Sequence, residues 1–253
     1  MQTYFNINYE LDKAAVHEQI AQQVASGRPD YICVADGVVL NTANRIPEYL
    51  KIVNGGMFAI CDSGYVPLYL KWIYGMKVSQ YCGSDIFRDI VGMKKYRMAF
   101  LGGSREQHAG LRENLSRTDE RIGSMLFMEL PYLPIDKFDY KGIAEQLDRD
   151  GAEVIWVSLG APKQEEFMSR LKPHLKRGVM IAVGAVFKFY SGENEKRAPK
   201  WMLDHHLEFV YRIFSSPRKQ LGRCFWIIRT LPGLLIGEVR RKRSRRENVA
   251  DFK

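Results

Sequence analysis

Residues Glu153–Phe167 read Glu-Val-Ile-Trp-Val-Ser-Leu-Gly-Ala-Pro-Lys-Gln-Glu-Glu-Phe, a stretch that predicts a strand, a tight turn and a helix start. The apolar, β-rich segment Glu153–Leu159 is typical of a strand buried on both faces. Gly160 permits the turn, and Pro162 fits the first helical position, where its missing N–H costs nothing. Phe167 and Leu171 then share one helical face.

The turn after this strand has two interpretations. An ordinary β–α connection needs only the glycine and the proline. A ligand site uses in addition the unpaired N–H groups of the helix N-terminus, which suit phosphate or another anion. Lys163, Gln164 and Glu165 crowd this turn at the carboxyl end of a strand, where open α/β sheets bind ligands. These polar side chains favour a site.

The same alternation of strand and helix continues along most of the chain. Apolar runs predict strands at Tyr31–Ala35, Met57–Cys61, Arg97–Leu101, Ser124–Met128, Glu153–Leu159 and Val179–Val183. Helical patterns fall near residues 11–26, 41–53, 65–75, 84–92, 105–117, 139–149 and 162–172. This order predicts an α/β fold with a Rossmann-like, mostly parallel sheet and helices on both faces.

Composition narrows the function classes. The chain has 253 residues, 46% of them hydrophobic, which supports a large core and argues against global disorder. Its net charge of +9 predicts an anionic partner: a nucleotide, a nucleic acid or a membrane surface. The four cysteines lack metal-type pairing, so we expect reduced thiols in a cytosolic protein. We expect neither a signal peptide nor a membrane span.

The chain changes character near residue 207, which divides it into an α/β core at residues 1–206 and an appendage at residues 207–253. In the appendage large apolar residues alternate with arginines, and six of the seven residues Arg240–Arg246 are basic. This profile is typical of a helical interfacial membrane anchor. The alternatives are a core-packing helix with a solvated tail, and a nucleic-acid arm, which needs less apolar surface.

Several side chains follow predicted strands and are candidates for chemistry. Asp36 and Asp62 each end a strand, where an aspartate either acts as a base or caps the following helix; for Asp62 that helix starts near Tyr65. Gly102 and Gly103 form a turn suited to phosphate or ribose. The third glycine of a dinucleotide fingerprint is missing, so we expect no NAD site.

Taken in order, these pieces resemble the WecG/TagA/CpsF glycosyltransferase family. In the first half, the resemblance is carried by Cys61–Gly64, Gly83–Asp85 and Phe100–Gly103. In the second half it is carried by Leu159–Glu165, Val183–Ala185, Arg197–Pro199, Glu208–Arg212 and Pro217-Arg218. The match runs in unbroken order over roughly residues 30–225.

The resemblance implies an inverting, metal-independent transferase without a cofactor. Such an enzyme moves a hexose or N-acetylhexosamine from a UDP-sugar to a polyprenyl-diphosphate-linked saccharide. It works in the cytoplasm, peripherally on the anionic inner face of the membrane, in the synthesis of capsule, exopolysaccharide or other surface polysaccharides. The expected partners are these two substrates and the membrane surface, but not nucleic acid; a homo-oligomer is compatible with this expectation.

The resemblance also assigns residue roles. Asp62 becomes the general base, and Arg212, Arg218 and Arg223 close over the site and stabilise the departing UDP. The substrates are held by a larger set: Asp36, Gly102, Gly103, Lys163, Gln164, Glu165, Gly184, Lys188 and Arg197.

Three positions depart from the family pattern. Asp36-Gly37 stands where the family usually has Thr-x-Asn, Lys188 replaces an acidic residue, and Cys61 replaces a proline. Because these positions surround the expected sugar pocket, the donor sugar stays open. A lysine at position 188 suits an acidic sugar such as a uronic acid, or a different hexose.

Overall fold

Eight strands form one sheet in this computed structural model. The structure describes residues 2–192 and the backbone of residues 217–250. Within 217–250, side chains are described at 225, 226 and 228–244. The strands are β1 (Gln2–Tyr4), β2 (Ile7–Tyr9), β3 (Asp30–Ala35), β4 (Phe58–Cys61), β5 (Met98–Gly102), β6 (Leu126–Met128), β7 (Val154–Ser158) and β8 (Val179–Ala182). Their spatial order is β1-β2-β4-β3-β8-β7-β5-β6. Among the strands of the described residues, only β1 and β2 pair antiparallel.

Helices connect the strands and pack on both faces of the sheet. They are α1 (Lys13–Ser26), α2 (Gly37–Arg45), α3 (Pro47–Asn54), α4 (Val66–Tyr74), α5 (Gly83–Met93), α6 (Arg105–Ser116), α7 (Tyr140–Asp150), α8 (Lys163–Leu171) and α9 (Val186–Tyr190). A C-terminal helix follows at Pro217–Ala250. The predicted α/β fold is confirmed, including its mostly parallel sheet.

Two local features differ from the prediction. The helix expected near 41–53 is divided into α2 and α3, because Ile46 is extended with φ −122° and ψ 102°. A residue that precedes a proline disfavours the helical region, and Pro47 follows it. The β1–β2 hairpin was not predicted: its strands have three residues each, too few for a recognisable alternation. Its turn uses Phe5 and Asn6 at positive φ.

The central strand β7 separates two apolar cores. Ile155 and Val157 face the core formed with α2, α3, α4, α7 and α8. Val154 and Trp156 face the opposite core, formed with α1, α5, α6 and α9. There the ring of Phe87 lies 4.8 Å from that of Trp156. A strand buried on both faces has no polar alternation, which explains the continuous apolar run in the sequence.

The C-terminal helix packs on the first core through Leu234, Leu235 and Val239. The carboxylate of Glu238, only 1% exposed, attaches this helix to the core region by hydrogen bonds. This carboxylate accepts hydrogen bonds from the Phe5 backbone N–H and the Tyr74 hydroxyl, both at 2.7 Å. The core-packing alternative therefore holds at these positions, whereas the expected domain boundary at residue 206 lies outside the described residues. Within the described part, no helix is long and apolar enough to cross a membrane.

Replacement of Glu238 by Ala is expected to release the C-terminal helix. The change leaves the buried Phe5 N–H without its acceptor, at about 1–3 kcal/mol, and also removes the hydrogen bond from the half-buried Tyr74 hydroxyl. Hydrogen exchange of the amides in residues 228–244 should accelerate while the sheet amides stay protected. Glu113→Ala, which removes an exposed carboxylate paired with Arg117, is the control. Unchanged exchange in Glu238→Ala would contradict this account of helix docking.

Candidate active site

Parallel pairing brings the turns that follow five strands to one edge of the sheet. Asp36 follows β3, Asp62 follows β4, and Gly184 lies two residues beyond β8. The glycine pair at 102–103 ends β5, and the turn 159–162 follows β7. The structure thus places these sequence-predicted residues, all of them described, along the carboxyl edge.

A crevice is expected between β5 and β7, where the chain changes direction. From β5 the chain continues outward to β6, and from β7 it continues the opposite way to β8. The helices that follow these strands lie on opposite faces, since Leu111 of α6 and Phe167 of α8 belong to different cores. Such a switch point is where open α/β sheets bind ligands.

One wall of this crevice is the glycine turn after β5. Gly102 and Gly103 have φ of 88° and 79°, a left-handed conformation that side chains rarely adopt. A Cβ on Gly102 would lie 2.4 Å from the Ser158 carbonyl oxygen. Ser104 and Gln107 then close a reciprocal capping box at the start of α6. The turn therefore needs glycine for steric reasons.

The opposite wall is organised by the amide of Gln164. Its Oε1 accepts hydrogen bonds from the backbone N–H groups of Gly160 and Gly184, each at 3.1 Å. A second hydrogen bond joins the turn after β8 to β7: the Ser158 hydroxyl donates to the Gly184 carbonyl at 2.5 Å. Gln164, expected to contact the substrate, is buried and joins the turns after β7 and β8.

Glu165 lies beneath these turns and is fully buried. Its Oε2 accepts a hydrogen bond from the Tyr49 hydroxyl, and its Oε1 accepts one from Gln164 Nε2, both at 2.9 Å. Burial raises the pKa of this carboxyl to about 7. The sequence contained no signal for Tyr49, because it belongs to α3 and meets Glu165 only through the fold.

Lys163 begins α8, one residue later than predicted, so Pro162 precedes the helix. The Lys163 ammonium donates to the Leu133 carbonyl at 2.6 Å. It also lies 5.1 Å from the ring centres of Tyr132 and Phe138. These contacts fix the lysine against the segment that precedes α7, at the outer side of the crevice.

The two aspartates at the carboxyl edge both cap helices. Asp36 caps the helix that follows it, whereas Asp62 caps a different helix from the one expected. Asp36 accepts hydrogen bonds from Val38 and Val39 N–H at 2.8 and 2.9 Å, so its predicted capping role is confirmed. Asp62 accepts from the Gly83 N–H at 3.1 Å, at the start of α5. The expectation that Asp62 caps the helix near Tyr65 is wrong, since α4 has no side-chain cap. The cap fixes the Asp62 carboxylate at the end of β4.

Of the remaining candidate residues, the structure describes Lys188 but not the side chains of the four arginines. Lys188 lies half-buried on α9, which follows β8 at the same edge. Arg197 and Arg212 fall outside the described residues, as do the side chains of Arg218 and Arg223. Where side chains are described, no three His, Cys, Asp or Glu residues group as metal ligands.

The sheet order and the glycine turns at the carboxyl edge define a Rossmann-like α/β protein. Residues 3–248 match the model of the glycosyl transferase WecG/TagA/CpsF family, and the chain belongs to that family. The resemblance seen in the sequence is therefore confirmed, and the protein is a glycosyltransferase.

Two curated relatives carry the name N-acetylglucosaminyldiphosphoundecaprenol N-acetyl-beta-D-mannosaminyltransferase. The protein of Bacillus subtilis is 26% identical over 203 residues, 74% of this chain and 75% of its own length. That of Bacillus spizizenii is 26% identical over 192 residues, 75% of this chain and 72% of its own length.

Replacement of Gly102 by Ala is expected to destabilise the protein by about 3 kcal/mol, because a clash with the Ser158 carbonyl adds to the positive-φ strain. Gly27→Ala is the matched control: Gly27 also has positive φ, but a Cβ there meets nothing within 4 Å. Its expected cost is about 1 kcal/mol from the left-handed conformation alone. Urea unfolding measures both values. Equal costs would show that the approach of β5 to Ser158 is not as close as described.

Proposed function

We propose that this glycosyltransferase moves a sugar from a UDP-sugar to a saccharide linked to a polyprenyl diphosphate, in bacterial surface-polysaccharide synthesis. The observation that carries the proposal is Asp62, which the Gly83 N–H holds at the carboxyl end of β4. The curated relatives support the acceptor, because their name specifies a diphosphoundecaprenol-linked N-acetylglucosamine. The glycine walls at 102–103 and 160 support a nucleotide diphosphate in the crevice.

In the proposed reaction Asp62 is the general base. Its carboxylate takes the proton of the acceptor hydroxyl while that oxygen attacks the anomeric carbon. The bond from this carbon to the UDP oxygen breaks on the opposite side, so the configuration inverts. The Gly83 N–H holds the carboxylate in place at 3.1 Å. We assign stabilisation of the departing diphosphate to Arg212, Arg218 and Arg223, without a metal ion.

The donor sugar is proposed as a hexose or an N-acetylhexosamine. Asp36 and Lys188 occupy positions around the expected sugar pocket at which this chain departs from its family. Asp36 caps the N-terminus of α2, and Lys188 lies on α9, which follows β8 at the carboxyl edge of the sheet. A screen of UDP-sugars for UDP release identifies the donor, and preference for a uronic acid would point to Lys188.

A membrane-binding face is proposed between α4 and the C-terminal helix. A groove of about 270 Å³ lies there, lined by Trp72, Ile73, Val239, Lys242 and Arg243. Trp72 is 72% exposed and Ile228 is 71% exposed. Exposed apolar side chains beside basic ones fit the interface of an anionic bilayer. This would place the enzyme on the inner face of the cytoplasmic membrane.

Asp62→Asn should abolish transfer without unfolding the protein. The amide oxygen can still accept from the Gly83 N–H, but it cannot take a proton, so turnover should fall about 10²–10⁴-fold. Asp148→Asn is the control, because Asp148 likewise accepts a backbone N–H, from Lys176 at 3.2 Å. Transfer from a UDP-sugar to a polyprenyl-diphosphate sugar is measured. Undiminished turnover in Asp62→Asn would eliminate Asp62 as the base.

Charge reversal at Arg240 and Arg243, both exposed, should weaken binding to vesicles that contain phosphatidylglycerol. Each basic residue near an anionic surface contributes about 1 kcal/mol, so the double change should reduce binding at least about 30-fold. The charge-matched control reverses exposed Arg28 and Arg117. Equal losses in the two variants, or binding to duplex DNA that survives excess UDP, would contradict the membrane face.

A further inference from the structure

A chain of three side chains runs from the core to the turns of the crevice. Tyr49 of α3 donates to Glu165, and Glu165 accepts from the amide nitrogen of Gln164. The amide oxygen of Gln164 then accepts from Gly160 and Gly184. Every polar atom of the Gln164 amide therefore has a defined partner.

The orientation of this amide is favoured by two glycine N–H groups and reinforced by Glu165. The two glycine N–H groups are donors and require the oxygen of Gln164, not its NH₂ group. The backbone atoms alone favour the oxygen at that position, and the buried carboxylate adds a charge-assisted bond to the NH₂ group. A flipped amide would place donors against Gly160 and Gly184 and an oxygen against the Glu165 carboxylate. Both contacts would be repulsive.

We propose that Glu165 is a positioning residue for sugar transfer: it fixes the Gln164 amide so that the Gly160 and Gly184 turns hold the shape that receives the donor's diphosphate. The identity of the ligand rests on the proposed function. The hydrogen bonds that position Gln164 are independent of it. Glu165 itself is buried beneath the turns and acts through Gln164. This gives a different role from the substrate contact that the resemblance implied.

The positioning should weaken as the pH falls, because protonation removes the negative charge that strengthens the hydrogen bond from the Gln164 NH₂ group. A protonated carboxyl donates one hydrogen bond and accepts with an uncharged oxygen, which reduces the preference for one amide orientation to that set by the two glycine N–H groups. The groups facing Glu165 are the Tyr49 hydroxyl and the Gln164 amide in direct contact, with Asp36 and the buried thiol of Cys33 nearby. Among the described residues, no lysine or arginine pairs with it. The pKa of about 7 places the change in the neutral range.

The test is hydrogen exchange of the Gly160 and Gly184 amides in the full-length protein between pH 6 and 8, corrected for intrinsic exchange. Wild type should show slower corrected exchange at pH 8 than at pH 6. Glu165→Gln, which is neutral at every pH, should lose this dependence and exchange about 10-fold faster at pH 8. Tyr49→Phe removes a hydrogen bond that favours the carboxylate, so the midpoint should move to higher pH. Glu166→Gln on the same helix turn is the control.

UDP binding and the kinetics of transfer separate this proposal from the proposed function. If both are correct, Glu165→Gln weakens UDP binding and raises the KM for the donor at pH 8, with a smaller effect on kcat. If exchange changes as expected but the wild type binds no UDP, the proposed function fails and the positioning chain stands. If exchange at Gly160 and Gly184 in Glu165→Gln and Tyr49→Phe equals that of wild type at every pH, the positioning role is overturned.

Discussion

The parallel pairing of β3, β8, β7 and β5 is the constraint on which the site depends. Because these strands run in one direction, the turns that follow them meet at one edge, although they come from distant parts of the sequence. The pairing of Gly102 with Ser158 sets how closely two of these turns approach. A Cβ at position 102 has no room there. The sheet therefore determines both where a crevice is expected and which residue fits at its edge.

The buried carboxylate of Glu165 lowers the stability of the folded protein, and the size of this effect depends on pH. A folded-state pKa of about 7, raised from 4.5, means that the folded protein binds the proton more tightly than the unfolded chain. Stability contributed by this group is present below pH 4.5 and is lost as the pH rises through 7, by on the order of 3 kcal/mol. A leucine would avoid that cost. The hydrogen bonds to Tyr49 and Gln164 give the carboxylate a role at the turns.

The sequence predicted most of the fold because its strands are short apolar runs bounded by glycine and aspartate. It also placed Asp36, Asp62 and the glycine turns at the ends of strands. It could not show that Asp62 caps α5, because Gly83 lies 21 residues further along the chain. Nor could it show the contact of Tyr49 with Glu165 across 116 residues. Residue type and spacing identify the edge of the sheet, whereas partners across it depend on tertiary packing.

Helix α4 connects the proposed base to the proposed membrane face. Asp62 lies four residues before α4 begins, and Trp72 lies near the end of that helix. Nine helical residues span about 13 Å. A polyprenyl-linked acceptor keeps its sugar close to the bilayer, so a base far from the surface would not reach it. The buried Glu238, which holds the C-terminal helix against Tyr74 at the end of α4, thus fixes the membrane face relative to the element that follows the base.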